Sequence, residues 1–255
     1  MTPADFALLV LAGVGGGLTG SIAGLASLVS YPALLAAGLP PVAANVTNTV
    51  ALVLNGVGSV SASGPELRGQ GRRLLRLTGG SVLGGAAGAA LLLLTPSDAF
   101  ERIVPWLIGG AAVALLVQRP PRELAARGAA AHPTHRDPWW LPLAVAAIAV
   151  YGGYFGAAAG VMLLALFLLS TGEGLAVGNA LRNVVLLAAN LTASIGFVVF
   201  APVAWSAALP LAIGLFVGGR LGPRVVRRAP QVLLRRLIAL AGIGLAVYLA
   251  VEAYS

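Results

Sequence analysis

Apolar runs of about 20 residues or more fill most of this chain, and they are the feature that most constrains its fold. The sequence is 58% hydrophobic and only 9% charged, whereas a soluble domain carries about a quarter charged residues. A helix needs about 20 apolar residues to cross the core of a bilayer. The sequence therefore predicts an all-α polytopic membrane protein, whose abundant glycine lets helices pack closely in lipid.

Three arginine-rich loops, at 68–76, 119–138 and 220–236, interrupt the apolar segments. Arg102 is the only basic residue in the other loops. The net charge of +8 is due to arginine alone, because the chain has no lysine. Basic residues collect in the cytoplasmic loops of membrane proteins. The charge therefore predicts a cytoplasmic face, and we expect no binding to nucleic acid.

The placement of the basic loops constrains segment 139–170, which is 32 residues long. The second basic loop, which is cytoplasmic, directly precedes this segment. Two crossings separate residue 171 from the third basic loop, which is also cytoplasmic, so both ends of the segment lie inside. We therefore predict a Gly-rich hairpin, either re-entrant or made of two short helices, in which Gly152, Gly153, Gly156 and Gly160 allow tight turning. Segment 5–38 has the same glycine pattern and is predicted as the matching hairpin, which places both termini outside.

Two polar stripes of identical spacing indicate an internal repeat. The first stripe consists of Asn48, Asn55 and Ser59. The same spacing recurs 135 positions later in Asn183, Asn190 and Ser194. The loop after the first stripe is basic and the loop after the second is uncharged, so equivalent segments lie on opposite sides of the membrane. The sequence predicts an inverted repeat of two halves, each with one hairpin and three transmembrane helices.

The predicted boundaries follow the apolar segments. The first half covers 1–118, with the hairpin at 5–38 and helices at 41–62, 74–95 and 99–118. An Arg- and Pro-rich cytoplasmic linker occupies 119–138. The second half covers 139–255, with the hairpin at 139–170 and helices at 175–200, 202–220 and 231–252.

The stripes are the predicted substrate site, because positions i, i+4, i+7 and i+11 share one face of a helix. At 1.5 Å per residue they bracket the middle of the membrane, where inverted-repeat transporters bind their substrates. The competing interpretation is that these amides only join neighbouring helices. The predicted substrate-binding residues are Arg182, Asn48, Asn183, Asn55, Asn190, Asn179 and Thr47.

Arg182 is the deepest candidate for a charge within the membrane, about 12 Å past the Gly172–Gly174 turn. A buried arginine costs about 2.5–3.5 kcal/mol and normally marks a pathway or a paired charge. Its fork of donors suits an oxyanion or a carboxylate. The position equivalent to Arg182 in the first half is Thr47. Two alternatives stay open: Arg182 reaches the cytoplasmic surface, or it pairs with Glu173.

No pattern in the sequence indicates catalysis, a metal site or a cofactor. The chain has no cysteine, and both histidines lie in the 119–138 segment. No glycine-rich run is followed by the Gly-Lys-Ser/Thr of a phosphate-binding loop. We therefore expect neither enzyme activity nor a bound metal or cofactor.

Several motifs resemble the sulfite exporter TauE/SafE family. They are Gly16-Gly17-Leu18-Thr19-Gly20, Tyr31-Pro32-Ala33-Leu34-Leu35, the Gly172–Asn179 turn and Gly218-Gly219-Arg220-Leu221-Gly222. The resemblance covers almost the whole chain, although residues 180–183 depart from the alanine-glycine-threonine-like stretch that we would expect. It implies about eight membrane segments and transport of sulfur-containing or carboxylate anions across the bacterial inner membrane.

These observations predict a secondary transporter that exports a small anion, such as sulfite or a sulfonate, by alternating access. The alternatives are a passive anion channel and a membrane subunit that transports nothing. The expected partners are the anionic substrate and the lipid bilayer, and the sequence leaves homo-oligomer formation open.

Overall fold

A computed structural model describes residues 2–118, 120–132, 137–225 and 231–254, apart from the side chains of 22–23, 223–225 and 231–235. The predicted loop residues Arg119, His135, Arg136, Arg227 and Arg228 therefore lie outside the described residues. The regular secondary structure of the described residues is entirely α-helical, which confirms the all-α prediction. Its helices are α1 (Pro3–Ala23), α2 (Ser27–Ala36), α3 (Pro41–Ser61), α4 (Gly64–Leu67), α5 (Gly71–Leu94), α6 (Ser97–Val117), α7 (Pro121–Ala131), α8 (Leu141–Tyr154), α9 (Ala159–Ser170), α10 (Leu175–Phe200), α11 (Trp205–Val225) and α12 (Gln231–Tyr254).

Six of the described helices are long and apolar enough to cross a membrane, namely α1, α5, α6, α10, α11 and α12. Helix α3 is also 21 residues long, but its asparagines and threonines make it more polar than these six. Large apolar side chains cover the outer surface, with Leu83 73% and Leu94 81% exposed. Such a surface suits lipid rather than water, so the polytopic membrane fold is confirmed.

Each predicted hairpin is a pair of helices separated by a glycine with a positive φ angle. In the first pair α1 ends directly before Gly24, whose φ is 75°, and in the second pair α8 ends two residues before Gly156, whose φ is 76°. Only glycine adopts this conformation without strain. The breaks do not fall at equivalent positions, since Gly20 and Gly24 of the first hairpin match Gly156 and Gly160 of the second at an offset of 136. Helix α1 therefore continues one turn further and has 21 residues, against 14 in α8.

Helices of one half pack mainly on helices of the other. We call α1, α3 and α11 group one, because α11 packs along both α1 and α3. Group two is α8, α10 and α5, in which α5 packs along both α8 and α10. The groups meet where α3 packs on α10, and α6 pairs with α12 beside them. Helices α1, α3 and α5 of the first half correspond to α8, α10 and α11 of the second half, so the contacts of group one are equivalent to those of group two. The opposite orientation of the halves stays a prediction.

Glycines make the close approach within each group possible. A Cβ atom on Gly17 of α1 would lie 2.6 Å from the backbone nitrogen of Gly219 on α11. In group two, a Cβ atom on Gly85 of α5 would lie 2.7 Å from the carbonyl oxygen of Ala189 on α10. A larger residue would force the backbones apart at either place, so the repeated glycines fix how the helices of each group pack.

The described parts of the basic loops lie at one end of the helix bundle, which we call the basic face. Arg73 at the start of α5 donates hydrogen bonds to Asp137 at 2.6 and 2.8 Å and to Glu173 at 2.7 Å. These bonds join the first basic loop, the end of the linker segment and the α9–α10 turn. Arg220 near the end of α11 donates to Ser61 at the end of α3, at 2.9 Å, so the third basic loop begins there too.

The segment predicted as a linker, 119–138, contains the 11-residue helix α7 in its described part. Pro121 occupies the first helical position, where its missing N–H costs nothing, and alanines favour the helix. Leu124 packs with Leu164 and Leu168 of α9, while Arg122 and Arg127 are exposed. Helix α7 thus covers one side of the second hairpin.

Candidate functional site

A small cavity lies where the two groups and both helix breaks meet. Its volume is about 40 Å³, which is room for about three water-sized groups. Both halves contribute backbone and side chains to its walls. The polar side chains that line it are those of Ser27, Thr49, Asn55, Ser59, Asn183 and Asn190.

The N-termini of two short helices contribute to this cavity. Helix α2 begins at Ser27 and helix α9 begins at Ala159, and both residues line the walls. The two breaks cross in backbone contact, since a Cβ atom on Gly160 would lie 2.7 Å from the Cα of Gly24. The N-terminus of a helix carries partial positive charge, and its C-terminus carries partial negative charge. Both halves therefore add positive partial charge to the walls at Ser27 and Ala159, while the last turns of α1 and α8 reach the walls at Gly20 and Gly152.

Three of the predicted amides line the cavity. Asn55 lies on α3, and Asn183 and Asn190 lie on α10. The Oδ1 atom of Asn55 and the Nδ2 atom of Asn183 are buried and make no hydrogen bond within the described residues. A buried polar atom without a partner costs about 1–3 kcal/mol. A ligand that hydrogen-bonds to these amides would remove that cost.

Arg182 is fully buried, with 0% of its surface exposed. Its Nη2 donates to the carbonyl oxygens of Gly20 at 3.0 Å and Ser21 at 3.2 Å, in the last turn of α1. Nη2 and Nε also donate to Oδ1 of Asn183, at 2.9 and 3.3 Å. Because Gly20 and Asn183 line the cavity, the guanidinium is one residue away from it.

No carboxylate neutralises Arg182 within the described part of the chain. The ion pairs found there join Arg73 to Asp137 and to Glu173. Glu173, which the sequence offered as a partner for Arg182, is thus occupied by Arg73. Complete burial also excludes the alternative in which Arg182 reaches the surface. The geometry leaves an unneutralised cation whose Nη1 has no hydrogen-bond partner among the described residues.

The remaining predicted residues do not line the cavity. Asn48 exchanges hydrogen bonds with two serine hydroxyls of α2. The Oγ1 of Thr47 accepts a hydrogen bond from the backbone N–H of Ala204 at 3.0 Å. Asn179 is half-buried on α10, nearer the start of the helix. In this structure Asn48 and Thr47 join helix segments, which is the role that the packing interpretation assigns to such residues.

Sequence reasoning did not select Thr49, which lines the cavity, or Asn45. Asn45 is 1% exposed, and its Nδ2 donates to the carbonyl oxygen of Tyr154 at 2.8 Å. The prediction followed the helix face that contains Asn48 and Asn55, and both Asn45 and Thr49 lie outside that face. The spacing of Asn45 and Thr49 by one helical turn was a signal that could have indicated both.

Comparison with known proteins agrees with this membrane architecture. The chain is 28% identical over 233 residues to the "Probable membrane transporter protein YfcA" of Escherichia coli (strain K12), covering 88% of this chain and 81% of that protein. It is also 28% identical over 249 residues to the "Probable membrane transporter protein ORF9" of Sinorhizobium sp, covering 95% and 91%. No solved structure matches the chain. Residues 9–249 match the family described as Sulfite exporter TauE/SafE, and the chain belongs to this family of multi-pass membrane transporters, as its motifs led us to expect.

Proposed function

We propose that this transporter exports a small sulfur-containing or carboxylate anion, such as sulfite or a sulfonate, by alternating access at the cavity. The basic face lies in the cytoplasm of a bacterial cell, both termini lie outside, and the two halves are inverted relative to each other. The names of the relatives extend only to membrane transport. The choice of sulfite follows the description of the family, and the site supports an anion.

The observation that carries this proposal is the charge of Arg182. A fully buried guanidinium without a counter-ion among the described residues is costly in a membrane. An anion one residue away would offset that cost through its attraction to the guanidinium. A neutral or cationic substrate would leave the cost in place or increase it.

Asn183 explains how the charge would act on a ligand. Its Oδ1 accepts two hydrogen bonds from Arg182, so the amide is fixed with Nδ2 as the free donor. Together with the N-termini of α2 and α9, this donor favours ligands whose surface consists of acceptor oxygens. Room for about three water-sized groups suits an anion with few non-hydrogen atoms.

Alternating access is favoured over a passive channel because the cavity is small and is bounded by contacts between the two groups. Besides the Arg182 bonds, the hydroxyl of Ser194 on α10 donates to the carbonyl oxygen of Thr49 on α3 at 3.3 Å. A continuous pore would require these contacts to be absent on both sides at once. Transporters built from repeats instead rock one part against the other around a central site.

Uptake of labelled sulfite into proteoliposomes tests the proposal. We expect saturable uptake that unlabelled anion on the other side of the membrane accelerates. Arg182→Gln should raise the KM about 10- to 100-fold, since a charge roughly 8 Å from the anion attracts it by about 2 kcal/mol at an effective dielectric constant of about 20, while Arg182→Lys keeps the charge and loses less.

The matched control is Thr192→Val on the same helix, because Thr192 bonds only to the carbonyl of Ala188 one turn earlier. Flux that rises linearly with concentration, without stimulation from the other side, would favour a channel. A folded Arg182→Gln protein with the parent's KM would show that Arg182 is not part of the site. If none of the tested anions were transported, the non-transporting alternative would be favoured.

A further inference from the structure

Among the described residues, the side chains of Arg182, Ser194 and Asn45 donate hydrogen bonds from one packing group to the other. Of these, Asn45 has no place in the site described above. Asn45 belongs to α3 of group one, and its Nδ2 donates to the carbonyl oxygen of Tyr154, the last residue of α8 in group two, at 2.8 Å. We propose that Asn45 is a positioning residue that closes the cavity on the side opposite the basic face. This inference rests on alternating access but on no choice of substrate.

The Asn45 contact is buried and specific. The side chain is 1% exposed, and its Oδ1 has no hydrogen-bond partner among the described residues. A buried amide with one unsatisfied atom is unfavourable. If this side chain only filled space, an apolar residue would do so at lower cost, which gives the bond to Tyr154 its significance. The carbonyl that it binds belongs to the last turn of α8, where the helix leaves such groups without an intrahelical donor. Asn45 therefore fixes the broken end of α8 against α3.

The Arg182 contact is the counterpart of the Asn45 contact. Arg182 on α10 of group two binds the carbonyls of Gly20 and Ser21 in the last turn of α1 in group one. In both cases a side chain from the polar helix of one half holds the end of the first hairpin helix of the other half. The two contacts differ in strength, because Arg182 is charged and makes several bonds whereas Asn45 is neutral and makes one.

The two contacts lie towards opposite ends of the bundle. Helix α10 begins just after Glu173, which binds Arg73 at the basic face, so Arg182 is about 10 Å from that face. Helix α3 ends at the basic face, where Ser61 binds Arg220, and Asn45 lies 16 residues before Ser61. At 1.5 Å per residue this places Asn45 about 24 Å from the basic face.

Breaking one contact at a time would therefore open the cavity to one side at a time. Loss of the Asn45 contact frees the end of α8 from α3 and opens the cavity away from the basic face. Loss of the Arg182 contact frees the end of α1 from α10 and opens it towards the basic face. The structure, with its cavity of about 40 Å³, makes both of these contacts and also the bond between Ser194 and Thr49.

The absence of cysteine from the chain allows a direct test by thiol accessibility. Leu52→Cys places a thiol on the cavity wall at a position that is 8% exposed, and Ala159→Cys is a second reporter. Right-side-out and inside-out membrane vesicles that contain the full-length protein are treated with a membrane-impermeant maleimide. Adding Asn45→Ala should raise the labelling rate about two- to tenfold from the side opposite the basic face, and not from the other side.

Two further variants make the outcome specific. Arg182→Gln should raise labelling from the basic face instead. Ser81→Ala is the matched control, because it removes a buried bond of 2.6 Å to the carbonyl of Val185 within group two, and it should change labelling from neither side. Asn45→Ser, whose side chain is too short to reach Tyr154, repeats the test.

The proposal is overturned if Asn45→Ala labels at the parent's rate, if labelling rises equally from both sides, or if Ser81→Ala has the same effect. It is also overturned if neither Asn45 variant accumulates in the membrane, since the residue would then serve folding. No anion is needed for labelling, so a failed sulfite uptake experiment would not affect the labelling result. Likewise, a failed labelling experiment would not affect the proposed transport of an anion.

Discussion

Replacing Asn183 with aspartate should separate folding from anion binding. The change keeps the shape of the side chain and replaces an amide by a carboxylate whose oxygen stays 2.9 Å from Nη2 of Arg182. The buried guanidinium then gains a counter-ion, so the folded state loses nothing by the change. The site, however, loses both its net positive charge and the Nδ2 donor.

The size of the effect follows from the separation of the charges. An anion bound to Nδ2 of Asn183 would lie up to roughly 8 Å from the guanidinium, which is two hydrogen-bond lengths of about 2.9 Å and the distance of about 2.2 Å between the two amide atoms. Two opposite charges at that distance attract by about 2 kcal/mol at an effective dielectric constant of about 20. The lost amide donor adds about 1 kcal/mol. Together the Asn183→Asp protein should bind the anion roughly a hundredfold more weakly.

Two measurements on the purified protein check this reasoning. The thermal midpoint in detergent should equal or exceed that of the parent without anion, and should no longer rise when sulfite is added. Uptake into proteoliposomes should fall to background at concentrations near the parent's KM, while Thr192→Val behaves like the parent. A folded Asn183→Asp protein whose KM is within threefold of the parent's value would refute an anion site beside Arg182.

Two other predictions concern the packing that holds the site. Gly160→Ala should lower the free energy of unfolding by about 1–3 kcal/mol, because the new Cβ would meet the backbone of Gly24 and the crossing has no room to adjust. Gly110→Ala is the control, because Gly110 has open space around it, and it should not lower the free energy of unfolding in this way. Equal thermal midpoints for the two variants would contradict the close backbone contact between Gly160 and Gly24. Arg73→Gln should cost about 1 kcal/mol, because it removes two partly exposed ion pairs, with Glu173 and with Asp137; Glu173→Gln in the same chain should recover part of this loss in thermal unfolding.

Local patterns in the sequence were sufficient for several features of this protein. Long apolar runs require helices in a bilayer, because backbone groups in lipid must be satisfied within the segment. The spacing of Asn183 and Asn190 places them on one helix face whatever surrounds the helix. The order of the small-residue motifs was enough to recognise the TauE/SafE family, which the match over residues 9–249 confirms.

The partners of the polar side chains were decided by tertiary structure alone. Arg182 binds Gly20, 162 positions earlier, and Asn45 binds Tyr154, 109 positions later. Periodicity reports which face a residue occupies but not which helix covers that face, and here helices of one half cover those of the other. The unequal breaks at Gly24 and Gly156 have the same origin, since the point where a helix ends depends on the backbone that crosses it. The sequence thus determined a helical membrane transporter with polar stripes, and the packing decided which stripe residues line a cavity and which hold it closed.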